Sequence, residues 1–353
     1  MQTNNAQRVL GLVNAEALYT DRDYLKRYLT GFYIEDGYVI ADKDGVTMYT
    51  DARYMESAAK FFSSTTNISV EEMTEENRPA KLLKKYTSVA VPFALTPYSE
   101  YKKLESLNVR LVDSMPAFTA CMAIKTEAEL KLIKSACAMA EEGFLKLLPE
   151  IKEGVSEREV AALLEYNMRM AGADSVSFDT IVAFGANASV PHHETGDTRL
   201  RFGDEILIDF GCKTGGYCSD ITRTFLFGDD KKHEEFKKLY EEVLTAQLLF
   251  LEKFHSGMTG KEGDAIARDY LKSKNLAQYF THSLGHGIGL NIHEAPRLSR
   301  LGDTVFKDGM VFSDEPGVYL AGKAGIRIED TVTLSNGKAE RLTNKTDKKL
   351  VII

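Results

Sequence analysis

Asp209 and Asp220 stand in two apolar, β-branched runs that flank Lys213-Thr214-Gly215-Gly216. The glycines permit the positive φ values of a tight hairpin. A loop centred between Thr214 and Gly215 places Asp209 directly opposite Asp220. Residues opposed in this way have Cβ atoms roughly 4.5–5.5 Å apart, where like charges repel. A carboxylate left unpaired among Ile, Leu and Phe also carries a large desolvation cost. Either a cation lies between the two aspartates, or a bulge slips the register and they merely flank a loop.

Five of the seven histidines fall in two short stretches: His192 with His193, then His282, His286 and His293. His286 lies between Gly285 and Gly287, where the backbone can approach a ligand closely and a helix is not expected. The i, i+4 spacing of His282 and His286 imitates a helical zinc motif, but the surrounding glycines weaken that reading. Glu315 precedes Pro316-Gly317, which ends its strand, whereas Arg327 and Glu329 are two apart in a strand and share a face. Arg327 is either the partner that orients a ligand carboxylate or a simple ion pair. Asp209, Asp220, His286, Glu315 and Glu329 together offer four carboxylates and one imidazole. Such a set suits manganese, cobalt, iron or zinc better than a thiolate-preferring metal. Four negative charges roughly neutralise two divalent ions and leave room for a bridging hydroxide, a recurrent hydrolytic device.

The elements that must carry these residues are visible as periodicity. Strand-like pieces at 38–40, 46–50 and 89–91 alternate with a helical stretch at 53–62, as in a small α/β domain. Thr126 followed by Glu129 is a capping box, after which Leu130, Ile133, Cys137, Ala140, Phe144 and Leu147 recur at helical spacing. The domain boundary is placed just before it, giving units of 1–120 and 125–353. Further helices are expected at 156–171 and from Lys231 to Phe254. Strands are expected at 180–184, 205–210, 217–227, 310–312 and 325–334. Helices and antiparallel-looking strands segregate, which argues for an α+β catalytic domain.

The chain has 353 residues, 44% of them hydrophobic and 27% charged, as in an ordinary globular protein of two domains. Its 52 acidic and 44 basic side chains give a net charge of -8, which demotes nucleic acid and anionic membranes as partners. No secretory signal or bilayer-spanning run is visible. Cys121, Cys137, Cys212 and Cys218 form no C-x-x-C pair and read as reduced, structural thiols. A cytoplasmic setting is the expectation.

ILIDFG, SDITRT, HSLGHGIGL, DEPG and GIRIEDT, in this order, resemble the five metal-ligand motifs of the pita-bread metallopeptidases. That family includes methionine aminopeptidase, aminopeptidase P and prolidase. Residues 28–58 resemble the creatinase-like N-terminal domain of its proline-specific members, and FDTIVAFGANASVPHH points to the same Xaa-Pro branch. The resemblance implies a pita-bread catalytic domain behind a smaller α/β creatinase-like domain. It also implies a dinuclear centre on Asp209, Asp220, His286, Glu315 and Glu329, most readily manganese, with cobalt or zinc as alternatives. His192 and His293 are implied to bind peptide around the scissile carbonyl, and His282 and Arg327 to support the site; Glu315 is expected to shuttle the water's proton to the departing proline nitrogen.

The expected activity is that of an Xaa-Pro aminopeptidase using a metal-bridging hydroxide. An Xaa-Pro dipeptidase is the alternative, and a non-catalytic peptide-binding module a more distant one. Short proline-containing peptides and a second copy, as a homodimer, are the expected partners. Two positions depart from the family pattern. Asp314 stands where relatives mostly carry an apolar residue or Thr, and strand alternation should turn it away from Glu315. His193 stands where many relatives have Gly, and the choice of His192 rests on its place after Pro191.

Overall fold

The computed structural model describes residues 5–63, 67–228 and 233–353. They divide into two compact units, Met1–Met122 and Ala123–Ile353. In the first, strands β1 (Ala17–Thr20), β2 (Gly37–Asp42), β3 (Gly45–Thr50), β4 (Ile68–Glu72), β5 (Ser88–Val91) and β6 (Arg110–Asp113) form one mixed sheet ordered β4-β3-β2-β1-β5-β6. Its apolar face gathers Ala17, Val89 and Val91 with Leu83 and Leu104 from the flanking helical turns.

Among the described residues, four helices and thirteen short strands make up the second unit's frame around the site. Thr126 and Ser156 each begin a helix with a reciprocal capping box, Glu127–Leu147 and Glu157–Met170. Two more helices follow, Glu234–Lys253 and Gly260–Ser273; the expected start of the former at Lys231 lies outside the described residues. The strands are β7 (Ser175–Val176), β8 (Ile181–Phe184), β9 (Glu205–Phe210), β10 (Cys212–Thr214), β11 (Tyr217–Cys218), β12 (Ile221–Leu226), β13 (Gly285–Gly287), β14 (Glu294–Leu298), β15 (Val311–Asp314), β16 (Gly317–Leu320), β17 (Ala324–Arg327), β18 (Asp330–Ser335) and β19 (Lys338–Arg341).

The first helix pair covers the sheet β12-β9-β8, with Ile206, Ile208 and Phe210 packed among Phe144 and Leu164. Phe144 stacks on Phe210 with ring centroids 5.2 Å apart. The second pair covers β14-β13-β15-β18-β19, where Phe250 and Phe254 meet Phe312, Val332 and Leu334. Because side chains alternate along a strand, Asp209 and Ser313 point away from these helices. The polar faces of the two sheets are thus left for chemistry.

Two expectations about the strands need correction. Asp209 pairs with Thr222, not with Asp220, and Thr214 pairs with Tyr217. The turn is centred on Gly215-Gly216, whose φ values are 56° and 86°. A two-residue type I′ hairpin loop needs positive φ at both central positions, so two consecutive glycines take them in preference to Thr214-Gly215. Asp220 therefore lies diagonal to Asp209 rather than directly opposite.

The expected strands 217–227 and 325–334 are each broken, at Ser219-Asp220 and at Ile328-Glu329. At both breaks the backbone is satisfied across the sheets. Asp220 N–H donates to Thr331 Oγ1 (3.0 Å), which donates back to Asp220 O (2.8 Å). Glu329 N–H donates to Thr222 O at 3.1 Å. All four cysteines are buried. Among the described residues no helix is long and apolar enough to cross a membrane.

Candidate metal centre

Three of the five ligand candidates meet closely: Asp220, His286 and Glu329 offer donor atoms all within 4.8 Å of one another. Glu315 joins them, because His286 Nε2 lies 3.5 Å from Asp220 Oδ2 and 3.5 Å from Glu315 Oε1. Asp209 is fixed beside the group by Arg327, whose Nη2 donates to Asp209 Oδ2 at 2.5 Å. Its other oxygen, Oδ1, is buried and has no hydrogen-bond partner.

Local chemistry explains each placement. A Cβ on Gly285 would sit 2.0 Å from Ser313 O, so only glycine lets β13 press this closely on β15. His286 N–H then donates to Ser313 Oγ (3.0 Å), and that hydroxyl donates to Glu315 Oε1 (3.0 Å). His286 Nδ1 lies 3.2 Å from Gly287 O; a carbonyl only accepts, so the proton sits on Nδ1 and Nε2 keeps its lone pair. Thr222 Oγ1 donates to Glu329 Oε2 (2.6 Å) and accepts from Arg327 Nε (2.9 Å). Arg327 and Glu329 thus share this hydroxyl even though they do not belong to one continuous strand.

Around this group His293 packs edge-on against His286, with ring centroids 4.4 Å apart. His282 Nε2 lies 2.9 Å from Tyr319 OH, which also accepts from Arg327 Nη1 at 2.8 Å. His192 is exposed, while His193 is turned away to Glu157 Oε2 at 2.9 Å. Asp314 also faces away from Glu315, directly across from Asp330 on the helix-covered side. The sequence reading missed Thr222, Ser313 and Tyr319. Thr222 and Ser313 could have been found, because each lies two residues from a ligand candidate and alternation gives it the same side.

The group carries too much negative charge to stand alone. Burial and mutual repulsion push Asp220 and Glu329 well above the ordinary carboxylate range. Burial, with Asp209 nearby, lifts Glu315 to about 8 against the pull of Arg327. Burial drives His286 down to about 4, with His293 adding to it, so the imidazole is neutral at physiological pH. Burial likewise lowers His282 to about 3, with Arg327 adding to it. Neutral imidazole, raised carboxyls and an unpartnered buried carboxylate oxygen are what hard divalent cations satisfy, and this donor set fits them.

The Metallopeptidase family M24 profile matches residues 131–336. This chain belongs to metallopeptidase family M24. The Creatinase/Prolidase N-terminal domain profile matches residues 4–121 of the same M24 chain. An Xaa-Pro dipeptidase of Pyrococcus furiosus is 37% identical over 339 residues, covering 94% of this chain and 95% of its own. The solved Xaa-Pro dipeptidase from Bacillus anthracis superposes with a TM-score of 0.92 at 34% identity, over 99% of both chains. An X-Pro aminopeptidase from Thermotoga maritima gives 0.90 at 32%, over 98% of this chain and 100% of its own. The M24 chain is thus a hydrolase with the pita-bread fold and a creatinase-like N-terminal domain.

Metal affinity is expected to rise with pH up to about 8, since Glu315 holds its proton to about 8 and a metal must displace it. Each displaced proton weakens binding about tenfold per pH unit below its pKa, and the raised carboxyls of Asp220 and Glu329 add to the loss. Calorimetric Mn²⁺ titrations at pH 6 and 8, in buffers of different ionisation enthalpy, check both the affinity and the proton release. Equal affinity at the two pH values would contradict this.

Proposed function

We propose that this M24 chain is a metal-dependent Xaa-Pro dipeptidase, hydrolysing the bond before proline in dipeptides. The convergence of Asp220, His286, Glu315 and Glu329, with Asp209 held alongside by Arg327, carries the hydrolytic part of this reading. The dipeptidase relatives that span nearly the whole chain support the substrate class, and on that ground dipeptidase replaces the aminopeptidase expectation. Arg297 adds a physical argument. It is exposed, lies opposite His286 in register, and its charge is felt at His293, so it offers a cation for a dipeptide's free carboxylate.

Asp209, Asp220, His286, Glu315 and Glu329 would hold two divalent ions, and four carboxylates with one imidazole suit manganese, with cobalt or zinc next. When bound, the ions supply positive charge that acidifies a water and polarises the scissile carbonyl. Glu315 takes the proton from the attacking water and delivers it to the departing proline nitrogen. His192 and His293 donate hydrogen bonds to the substrate's oxygens, where charge develops in the transition state. Burial, then His192, lowers the pKa of His293, so it acts as a neutral donor. His282 and Arg327 hold Tyr319 and Asp209 in place. The homodimer, which rests on the family resemblance, and the cytoplasmic setting, which rests on reading the cysteines as reduced thiols, belong to this proposal.

One assay tests the substrate class. The Mn²⁺-loaded protein is incubated with Gly-Pro and with Gly-Pro-Gly, and proline release is compared with release of Pro-Gly. Gly-Pro is expected to be cleaved at least about tenfold faster, the worth of one charge-assisted contact of ~1.4 kcal/mol. A preference for the tripeptide would return the aminopeptidase reading, and hydrolysis of neither would favour a peptide-binding module.

A further inference from the structure

Glu157 opens a helix, where an acid is ordinarily favoured by the helix dipole and needs no further explanation. Its helix is already capped by the reciprocal Ser156–Glu159 pair, so Glu157 is not needed there. The side chain is 0% exposed. Oε1 accepts from Phe184 N–H (2.9 Å) and Asn187 Nδ2 (2.8 Å). Oε2 accepts from His193 Nε2 (2.9 Å) and Gly196 N–H (3.1 Å). Every partner is a donor, and every one lies in the single connection 184–196. An ionised carboxylate has about four acceptor sites and no donor, so this constellation uses its full capacity.

That connection carries His192. On one side of it, Pro191 O accepts from Arg327 Nη1 at 3.3 Å, tying the segment to the arginine that holds Asp209. On the other side, His193 is bound to Glu157. We propose that Glu157 is a positioning residue that, through His193, fixes His192 over the reaction site, so that the two adjacent histidines have divided roles. His192 meets the substrate and His193 anchors the loop. The inference rests on the reading of His192 as a substrate-binding group.

The test uses the full-length Mn²⁺-loaded protein with Gly-Pro. In Glu157→Gln an amide N–H₂ faces groups that are themselves donors, so the anchor is lost with little change in shape. The variant is expected to lose roughly ten- to a hundredfold in kcat/KM, the usual scale for removing an orienting partner, with Mn²⁺ affinity unchanged. His192→Ala should cost clearly less in the Glu157→Gln background than in wild type, because the same interaction has already been lost. His193→Ala should reproduce the defect, and His193→Gln, which keeps a donor for the carboxylate, should restore most of it. These variants decide the question if Glu157→Gln does not fold. A kcat/KM within twofold of wild type, or strict additivity with His192→Ala, overturns the proposal. Wild-type turnover of Gly-Pro tests the dipeptidase reading separately, so the two failures are distinguishable.

Discussion

Asp220→Ala is expected to yield a folded protein that takes up no full complement of metal and shows only background hydrolysis. Asp220 is buried at 4% exposure, and burial together with Glu329, Asp209 and Glu315 pushes its carboxyl well above the ordinary range. In the metal-free protein its charge is therefore a burden, and removing it should leave thermal stability equal or higher. With Mn²⁺ the sign reverses. Wild type is stabilised by whatever binds only its folded state, whereas the variant lacks a ligand candidate central to the cluster and should show little metal-induced rise in Tm. Loss of the metal's several kcal/mol of transition-state stabilisation corresponds to a fall on the order of 10³-fold or more in kcat/KM. Elemental analysis, metal-dependent melting and Gly-Pro turnover provide three independent readings. Normal metal content with normal turnover in the Asp220→Ala protein would falsify the ligand assignment.

Arg223→Ala should be the most destabilising single change in the catalytic unit. Arg223 faces away from the site, yet its Nη1 donates to Thr222 O (2.9 Å) and Glu329 O (2.5 Å). Its Nη2 donates to Asp330 Oδ1 and Thr346 Oγ1, both at 2.8 Å. Asp330 is fully buried and also accepts from Thr343 Oγ1 (2.8 Å) and Gln247 Nε2 (3.2 Å), with Arg341 and Lys348 paired at 2.9 and 3.3 Å. Burial alone would raise its carboxyl, but the charges of Arg223, Lys348 and Arg341 hold it below the usual value. Its contribution is therefore present above about pH 4 and lost as pH falls through the lowered pKa.

Truncating one partner of a buried, hydrogen-bonded pair costs about 3–5 kcal/mol. At roughly 2–4 °C per kcal/mol for a unit of this size, Tm should fall on the order of 10 °C. Salt should change the loss little, since the pair is buried. The carbonyls that Arg223 holds belong to Thr222 and to the ligand candidate Glu329, so Mn²⁺ affinity should also drop by roughly ten- to a hundredfold. A Tm within 2 °C of wild type, measured metal-free at pH 7, would overturn this account.

The neighbouring pairs Asp314-Glu315 and Glu329-Asp330 show why part of this was unreadable in one dimension. Alternation assigns one acid of each pair to either side of its strand. It does not say that Asp314 and Asp330 lie directly opposite each other on the covered side. Nor does it say that Arg341 and Lys348, near the end of the chain, pair with Asp330. In the same way, His193 looked like a rival to His192, and nothing in the sequence connects it to Glu157, far upstream on a helix.

By itself the sequence determined the ingredients: which residues can bind divalent cations, the capped helices that frame them, the glycines that allow a tight hairpin, and a resemblance specific enough to name a family. These are local properties, set by residue type, periodicity and short spacing. Tertiary structure alone decided the rest. It moved the hairpin to Gly215-Gly216 and so paired Asp209 with Thr222, broke two strands at Asp220 and Glu329, and gave Thr222, Tyr319, Arg223 and Glu157 their tasks. Each of these depends on hydrogen bonds between segments distant in sequence, where the partner that satisfies a buried polar group is fixed by packing rather than by spacing.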